Sequence, residues 1–105
     1  MTSRFCSACN MPLENTSDIG LTTKEHFFCI HCTHQDKTIK TCTEIFEGGI
    51  QFFLNTMPDL NRDFAERIVR KNMNSLSYWN TRKDTCLQGP EASDEEFAEI
   101  LKRLA

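Results

Sequence analysis

Two cysteine pairs, Cys6-Ser7-Ala8-Cys9 and Cys29-Ile30-His31-Cys32, are the residues whose type and spacing point most directly to chemistry. Each pair encloses two residues, and nineteen residues, Asn10 to Phe28, separate the pairs. A C-x-x-C turn aims two sulfurs at one point, and a tetrahedral ion needs two such turns brought together by a loop long enough to fold back. Thiolates are soft ligands that suit zinc, and four of them leave no open position for water, which makes the expected site structural. An iron centre uses the same four ligands, and two reactive dithiols or buried thiols are the plainer alternative. Zinc is favoured because both pairs and the gap agree with one template.

Other residues near the pairs add candidates. His31 lies inside the second pair and His34 just beyond it, so either could replace a cysteine or recruit a second ion; with four thiolates completing the tetrahedron, solvent-facing histidines are the default. Cys42 and Cys86 have no partner at metal-ligand spacing. Cys42 is expected to be a small core residue, with a redox role at a helix N-terminus as the minor alternative, and Cys86 to be an exposed thiol in a linker.

The elements that must position these residues follow from patterning. Residues 1–40 read as a ribbon of short β-hairpins, with turn composition over 15–20. A metal-binding turn usually needs left-handed backbone just past its second cysteine. Asn10 tolerates that conformation and β-branched Thr33 does not, so the second turn is expected one or two residues later. Residues 41–80 read as a helical hairpin. Phe46, Ile50, Phe53 and Met57 share one face of a helix ending at Pro58, weakened by Gly48 and Gly49, a pair that allows a close approach of the ribbon or marks a kink. Asn61 is the expected N-cap of a second helix, with Ala65, Ile68, Val69, Met73, Leu76 and Trp79 along its stripe. Trp79 and Tyr78 are expected to anchor the hairpin to the ribbon. Residues 81–105 read as linker and C-terminal helix, the loop running from Asn80 to Ala92; Ser93 and Glu96 form a capping box, and Phe97, Ile100, Leu101 and Leu104 an apolar face that must dock on the hairpin or on another chain. The fold class is small α+β.

Phe5-Cys6-Ser7-Ala8-Cys9-Asn10-Met11-Pro12-Leu13, then Phe28-Cys29-Ile30-His31-Cys32, then Leu76-Ser77-Tyr78-Trp79, resembles the small bacterial proteins grouped under the description "putative zinc ribbon domain". The resemblance covers residues 4–80, and Met-Pro-Leu after the first pair is its most specific part. It implies a protein that binds zinc through Cys6, Cys9, Cys29 and Cys32. Asn10 stands where the family usually has glycine and Thr33 where an aromatic residue often follows; neither change removes a ligand.

Composition bounds the function. Hydrophobic residues at 39% and charged residues at 26% are those of an ordinary globular chain. With no apolar leader at the N-terminus and no apolar run near the ~20 residues needed to cross a bilayer, a cytoplasmic location is expected, in which six cysteines are ligands plus spares rather than a disulfide framework. Net charge is −3, unevenly spread: residues 58–84 carry six basic and four acidic side chains, while the flanking segments are acidic. Four thiolates around a +2 ion would make the ribbon more acidic still, a poor surface for phosphate backbones. The basic cluster Arg62, Arg67, Arg70, Lys71, Arg82 and Lys83 is the candidate nucleic-acid or anion contact, its plainer reading a solvated helix face. No catalytic constellation stands out and no small-molecule substrate is implied. The expected function is a non-catalytic, zinc-stapled interaction module for an unidentified protein partner, as an accessory to a transcriptional or stress-response protein. The alternatives are a nucleic-acid binder using the basic helix and, behind that, a metal or redox sensor.

Overall fold

The computed structural model describes residues 4–82 and 85–104. Lys83 of the expected basic cluster lies outside them. A two-stranded antiparallel sheet comes first, β1 (Ile19–Thr22) and β2 (Phe27–Cys29), with Ile19 opposite Cys29, Leu21 opposite Phe28 and Thr22 opposite Phe27. The register slips between Ile19 and Leu21, at Gly20. Isolated bridges join Phe5 to Pro12 and Thr33 to Ile39, so each cysteine pair sits between short extended pieces. Among the described residues four α-helices follow: α1 (Cys42–Thr56), α2 (Arg62–Asn74), the single turn α3 (Ser77–Asn80) and α4 (Asp94–Leu104).

Local chemistry sets the helix starts. The Thr41 hydroxyl accepts from the Glu44 backbone N–H while Glu44 accepts from that of Thr41, a capping box. Asn61 Oδ1 accepts from the Phe64 N–H at 2.8 Å, and Ser93 with Glu96 repeats the box before α4. The helix after Asn61 is not continuous to Trp79, as its apolar stripe suggests. It stops at Asn74, because Ser75 turns back onto the last α2 carbonyls and Leu76 adopts an extended conformation before α3 begins. That break redirects Tyr78 and Trp79 toward the ribbon.

Helices α1 and α2 pack against each other across the five residues 57–61, with Phe46 beside Arg70 and Gly49 against Val69. The close approach at Gly49 is therefore to α2 and not to the ribbon: a Cβ there would meet Val69 Cγ1 at 3.0 Å. Ile45, Ile50, Phe53, Met57, Ile68, Val69 and Met73 fill the space between the helices, and the same buried cluster runs on to Leu13, Phe28 and the cysteine pairs. Helix α4 covers the pair with less of itself than its pattern suggests. Ile100 is buried and Phe97 half-buried, but Leu101 and Leu104 are exposed.

Cys42 and Cys86 are not independent thiols. They form a disulfide, with Cα atoms 6.3 Å apart across 44 positions of sequence. The turn Thr85–Leu87 folds back because Leu87 is buried, and this brings a half-buried Cys86 onto the first residue of α1. The expectation of two spare cysteines, one of them exposed, is corrected accordingly.

Gly20 is the position where the ribbon tolerates least. A Cβ there would collide with Thr33 Oγ1 and lie 3.0 Å from the Cys29 carbonyl oxygen, the atom to which that hydroxyl donates. The substitution Gly20→Ala should therefore lower stability by roughly 1–3 kcal/mol, as overpacking does. Thermal unfolding of the zinc-loaded protein measures this; an unchanged midpoint would show that β1 can move aside freely.

Candidate metal centre

Cys6 and Cys9 are carried on a tight turn held by two backbone bonds, Cys6 N–H to the Met11 carbonyl (2.9 Å) and Asn10 N–H to the Cys6 carbonyl (2.8 Å). Asn10 takes φ of 67°, the left-handed conformation the first turn needs and asparagine accepts. The second pair is built differently. Cys29 ends β2, Ile30–Cys32 form a single 3-10 turn, and Thr33 is extended with φ of −127°. The left-handed residue falls at Lys37, later than the one or two positions expected, because Thr33 is held in its bridge to Ile39 and its hydroxyl donates to the Cys29 carbonyl.

The two turns bring the four sulfurs together. Cys6, Cys9, Cys29 and Cys32 offer Sγ atoms that all lie within 4.8 Å of one another, and Cys9 and Cys29 are 3.6 Å apart. Sulfurs about 2.3 Å from a central zinc form a tetrahedron with edges of about 3.8 Å, so the cage fits that ion. Cys6, Cys29 and Cys32 are buried and Cys9 partly so. Backbone N–H groups of Ala8 (3.4 Å) and Cys29 (3.3 Å) donate to Cys6 Sγ, which favours its thiolate. Without a cation the cluster shares its protons unequally. Hydrogen bonding from Cys29 holds the Cys6 thiol well below its usual range and bonding from Cys32 lowers Cys29, while Cys9 and Cys32, which donate to Cys29, are pushed up.

A model of the family described as "Putative zinc ribbon domain" matches residues 5–80, most of the chain. The chain belongs to this zinc ribbon family. Its four cysteines hold one structural zinc, in the cage just described. Searches among curated proteins and among solved structures found no match.

Within the ribbon family's site, the histidines stand apart from the sulfur cage. His31 is exposed, and His34 faces Glu44 at 3.7 Å. His26, which the spacing did not single out, does more: its Nδ1 lies 3.0 Å from Ser7 Oγ inside the first turn, and its ring packs edge-on to Tyr78. Trp79 anchors the helices to the ribbon as expected. It is 2% exposed, and its indole N–H donates to the Ala8 carbonyl at 2.7 Å. A second link, from Asn72 Nδ2 to the Cys9 carbonyl at 3.0 Å, was invisible in the sequence, because an asparagine on a helix face carries no sign of its distant partner. Both carbonyls belong to the first zinc turn, so α2 and α3 fix the ligands through their backbone.

The candidate anion contacts are differently placed. Arg62 forms a two-pronged pair with Glu47 (2.7 and 2.9 Å) and a third bond to Glu66. Arg67 is paired with Asp63 and Glu96, and Lys71 with Asp94 at 2.6 Å. Arg70 is 9% exposed, its guanidinium donating to the Pro90 carbonyl and lying against Phe46. Arg82 lies over the Tyr78 ring.

Two measurements follow from this geometry. Trp79→Phe, which keeps an aromatic side chain but removes the donor and part of the indole's volume, and Asn72→Ala should each weaken zinc binding on the order of 10-fold, the scale for groups that orient ligands; competition with a chromophoric chelator reads the loss, and unchanged affinity in both would sever helices from site. Zinc must displace the protons that Cys9 and Cys32 retain, so affinity should rise as pH rises from 6 to 8, with proton uptake by buffer seen in titration calorimetry. A flat pH dependence would mean that the thiols are ionised beforehand.

Proposed function

We propose that the chain is a non-catalytic, zinc-stapled module for protein interaction, an accessory in transcription or a related process, working in the cytoplasm. The observation that carries the first part is the sulfur cage: four sulfurs lie within 4.8 Å of one another, enough to complete a zinc ion's coordination, and a zinc so held offers no position to a substrate. No helix among the described residues is long and apolar enough to cross a membrane.

The interaction reading draws support from the placement of apolar side chains. Phe5 and Ile30, both 48% exposed, stand directly beside the two zinc turns, on a ribbon whose position the ion and Trp79 make rigid. Exposed apolar groups on a rigid frame are inexpensive to bury against a partner, since little ordering remains to be done on binding. The nucleic-acid alternative draws less, because Arg62, Arg67 and Lys71 are already neutralised by carboxylates of this chain.

Retention on heparin and fluorescence anisotropy with single- and double-stranded DNA separate the readings. The zinc-loaded protein should elute from heparin near the void at ~50 mM salt, where phosphate binding is strong if it exists. Binding that falls steeply between ~50 and ~200 mM salt would overturn the interaction reading in favour of the basic helix. A Phe5→Ser/Ile30→Ser variant that retains zinc should lose whatever partner the intact chain cross-links in a native extract; undiminished cross-linking would move the surface elsewhere.

A further inference from the structure

The Cys42–Cys86 bond takes no part in holding zinc, and its two ends sit in unlike surroundings. Cys42 is buried at the first position of α1, directly after the Thr41 cap, where the free N–H groups and dipole of a 15-residue helix stabilise a thiolate. Cys86 is half-buried, between exposed Thr85 and buried Leu87. An incoming thiolate therefore meets Cys86 Sγ first and expels the better leaving group, Cys42 Sγ.

What the bond joins is the second observation. It ties residues 85–104, a C-terminal arm made of the Thr85–Leu87 turn, Gly89, Pro90 and α4, to the start of α1. The arm's other fastenings are reversible. Leu87, Ala92 and Ile100 are buried, the Ala92 N–H donates to the Arg67 carbonyl, Asn74 Nδ2 donates to the Leu87 carbonyl, the nearly buried Arg70 guanidinium donates to the Pro90 carbonyl, and Lys71–Asp94, Arg67–Glu96 and Asp59–Arg103 pair across the seam. Pairs as exposed as these hold weakly. The arm also forms one wall of a polar cleft, with Leu87, Gln88 and Glu91 facing Asn74, Trp79 and Asn80. The clasp rests on the cytoplasmic location proposed above, where thiols are kept reduced and a disulfide is as a rule one that opens and closes.

We propose that the Cys42–Cys86 disulfide is a redox clasp, opened by a dithiol, that frees the C-terminal arm from the α1–α2 pair while zinc stays bound. The dithiol's first thiolate bonds to Cys86 Sγ as the Cys42–Cys86 bond breaks, its electron pair leaving on Cys42 Sγ. The second thiol, deprotonated, then displaces Cys86, so the protein gains two protons and two electrons and the reductant departs as its own disulfide. Opening the clasp exposes the faces that Leu87, Ala92 and Ile100 cover and removes one wall of the cleft.

The test uses the full, zinc-loaded chain with and without anaerobic dithiothreitol, removed before measurement. Alkylation should then label Cys42 and Cys86 alone, native mass spectrometry should still show one zinc, and amide exchange across residues 85–104 should accelerate by roughly five-fold or more while residues 5–40 stay unchanged. The variant Cys42→Ser/Cys86→Ser should exchange like the reduced protein whether or not dithiol is added. Unchanged exchange in the arm after verified reduction would overturn the clasp. So would a uniform acceleration through ribbon and helices, which means lost global stability, or release of zinc on reduction, which means the two sites are one.

Discussion

Four sulfurs packed within 4.8 Å of one another and mostly buried would repel strongly as bare thiolates, and the constraint that resolves this repulsion organises everything around it. A divalent cation turns the repulsion into attraction, and the segment that supplies the sulfurs becomes rigid as a consequence. That segment has a two-stranded sheet and little core of its own, Leu13 and Phe28 being its large buried side chains outside the cage. Modules of about that size seldom cohere without a metal or a neighbour. Here both are present. The helices hold the first zinc turn through Trp79 and Asn72, so the ion and helices α2 and α3 constrain the same four-residue loop.

Features that depend on neighbours in sequence were legible before any coordinates. The zinc turns are set by two intervening residues, Asn10 has an intrinsic tolerance of left-handed backbone, and the Asn61 and Ser93 caps are read from residues three apart. Thr41 and Glu44, which cap α1, carry the same three-apart signal. Features that depend on distant partners were not legible. Nothing in Gly48-Gly49 says that Val69 will be the neighbour, and nothing in Cys86 says that a buried Leu87 will swing it back to Cys42. The continuous stripe from Ala65 to Trp79 concealed the break at Ser75, because apolar spacing alone does not register a turn that preserves burial on both sides.

Charge shows the same limit from another direction. Counting along the chain assigns residues 58–84 a positive balance, and a helix bearing Arg62, Arg67, Arg70 and Lys71 reads as a basic face. In three dimensions Glu47 arrives from α1, Asp94 and Glu96 arrive from α4, and the face becomes a lattice of alternating charge. Each exposed pair contributes little stability. Their joint effect is on the field outside the protein, which they reduce, and on register, since α1 and α4 are aligned to α2 by the same set of cations.

Trp79 is where these arrangements meet. Its N–H holds the zinc turn through Ala8, its ring packs edge-on to Tyr78 (4.8 Å between centroids), and it is among the residues lining the cleft that the C-terminal arm completes. A four-residue helix with extended backbone before it is a poor element in isolation, so α3 owes its position to what it touches on both sides. Any movement of the arm that repacks the cleft therefore acts on a side chain whose donor is committed to a ligand-bearing loop. The bond to Ala8 is buried, and breaking it would leave a carbonyl and an indole N–H unsatisfied, at a cost of order 1–3 kcal/mol. None of the contacts that hold the arm, the ion pairs of Lys71 and Arg67, the bond from Arg70 to the Pro90 carbonyl and the burial of Leu87 and Ile100, shares a partner with that bond, so the arm can lift while Trp79 stays with the ribbon.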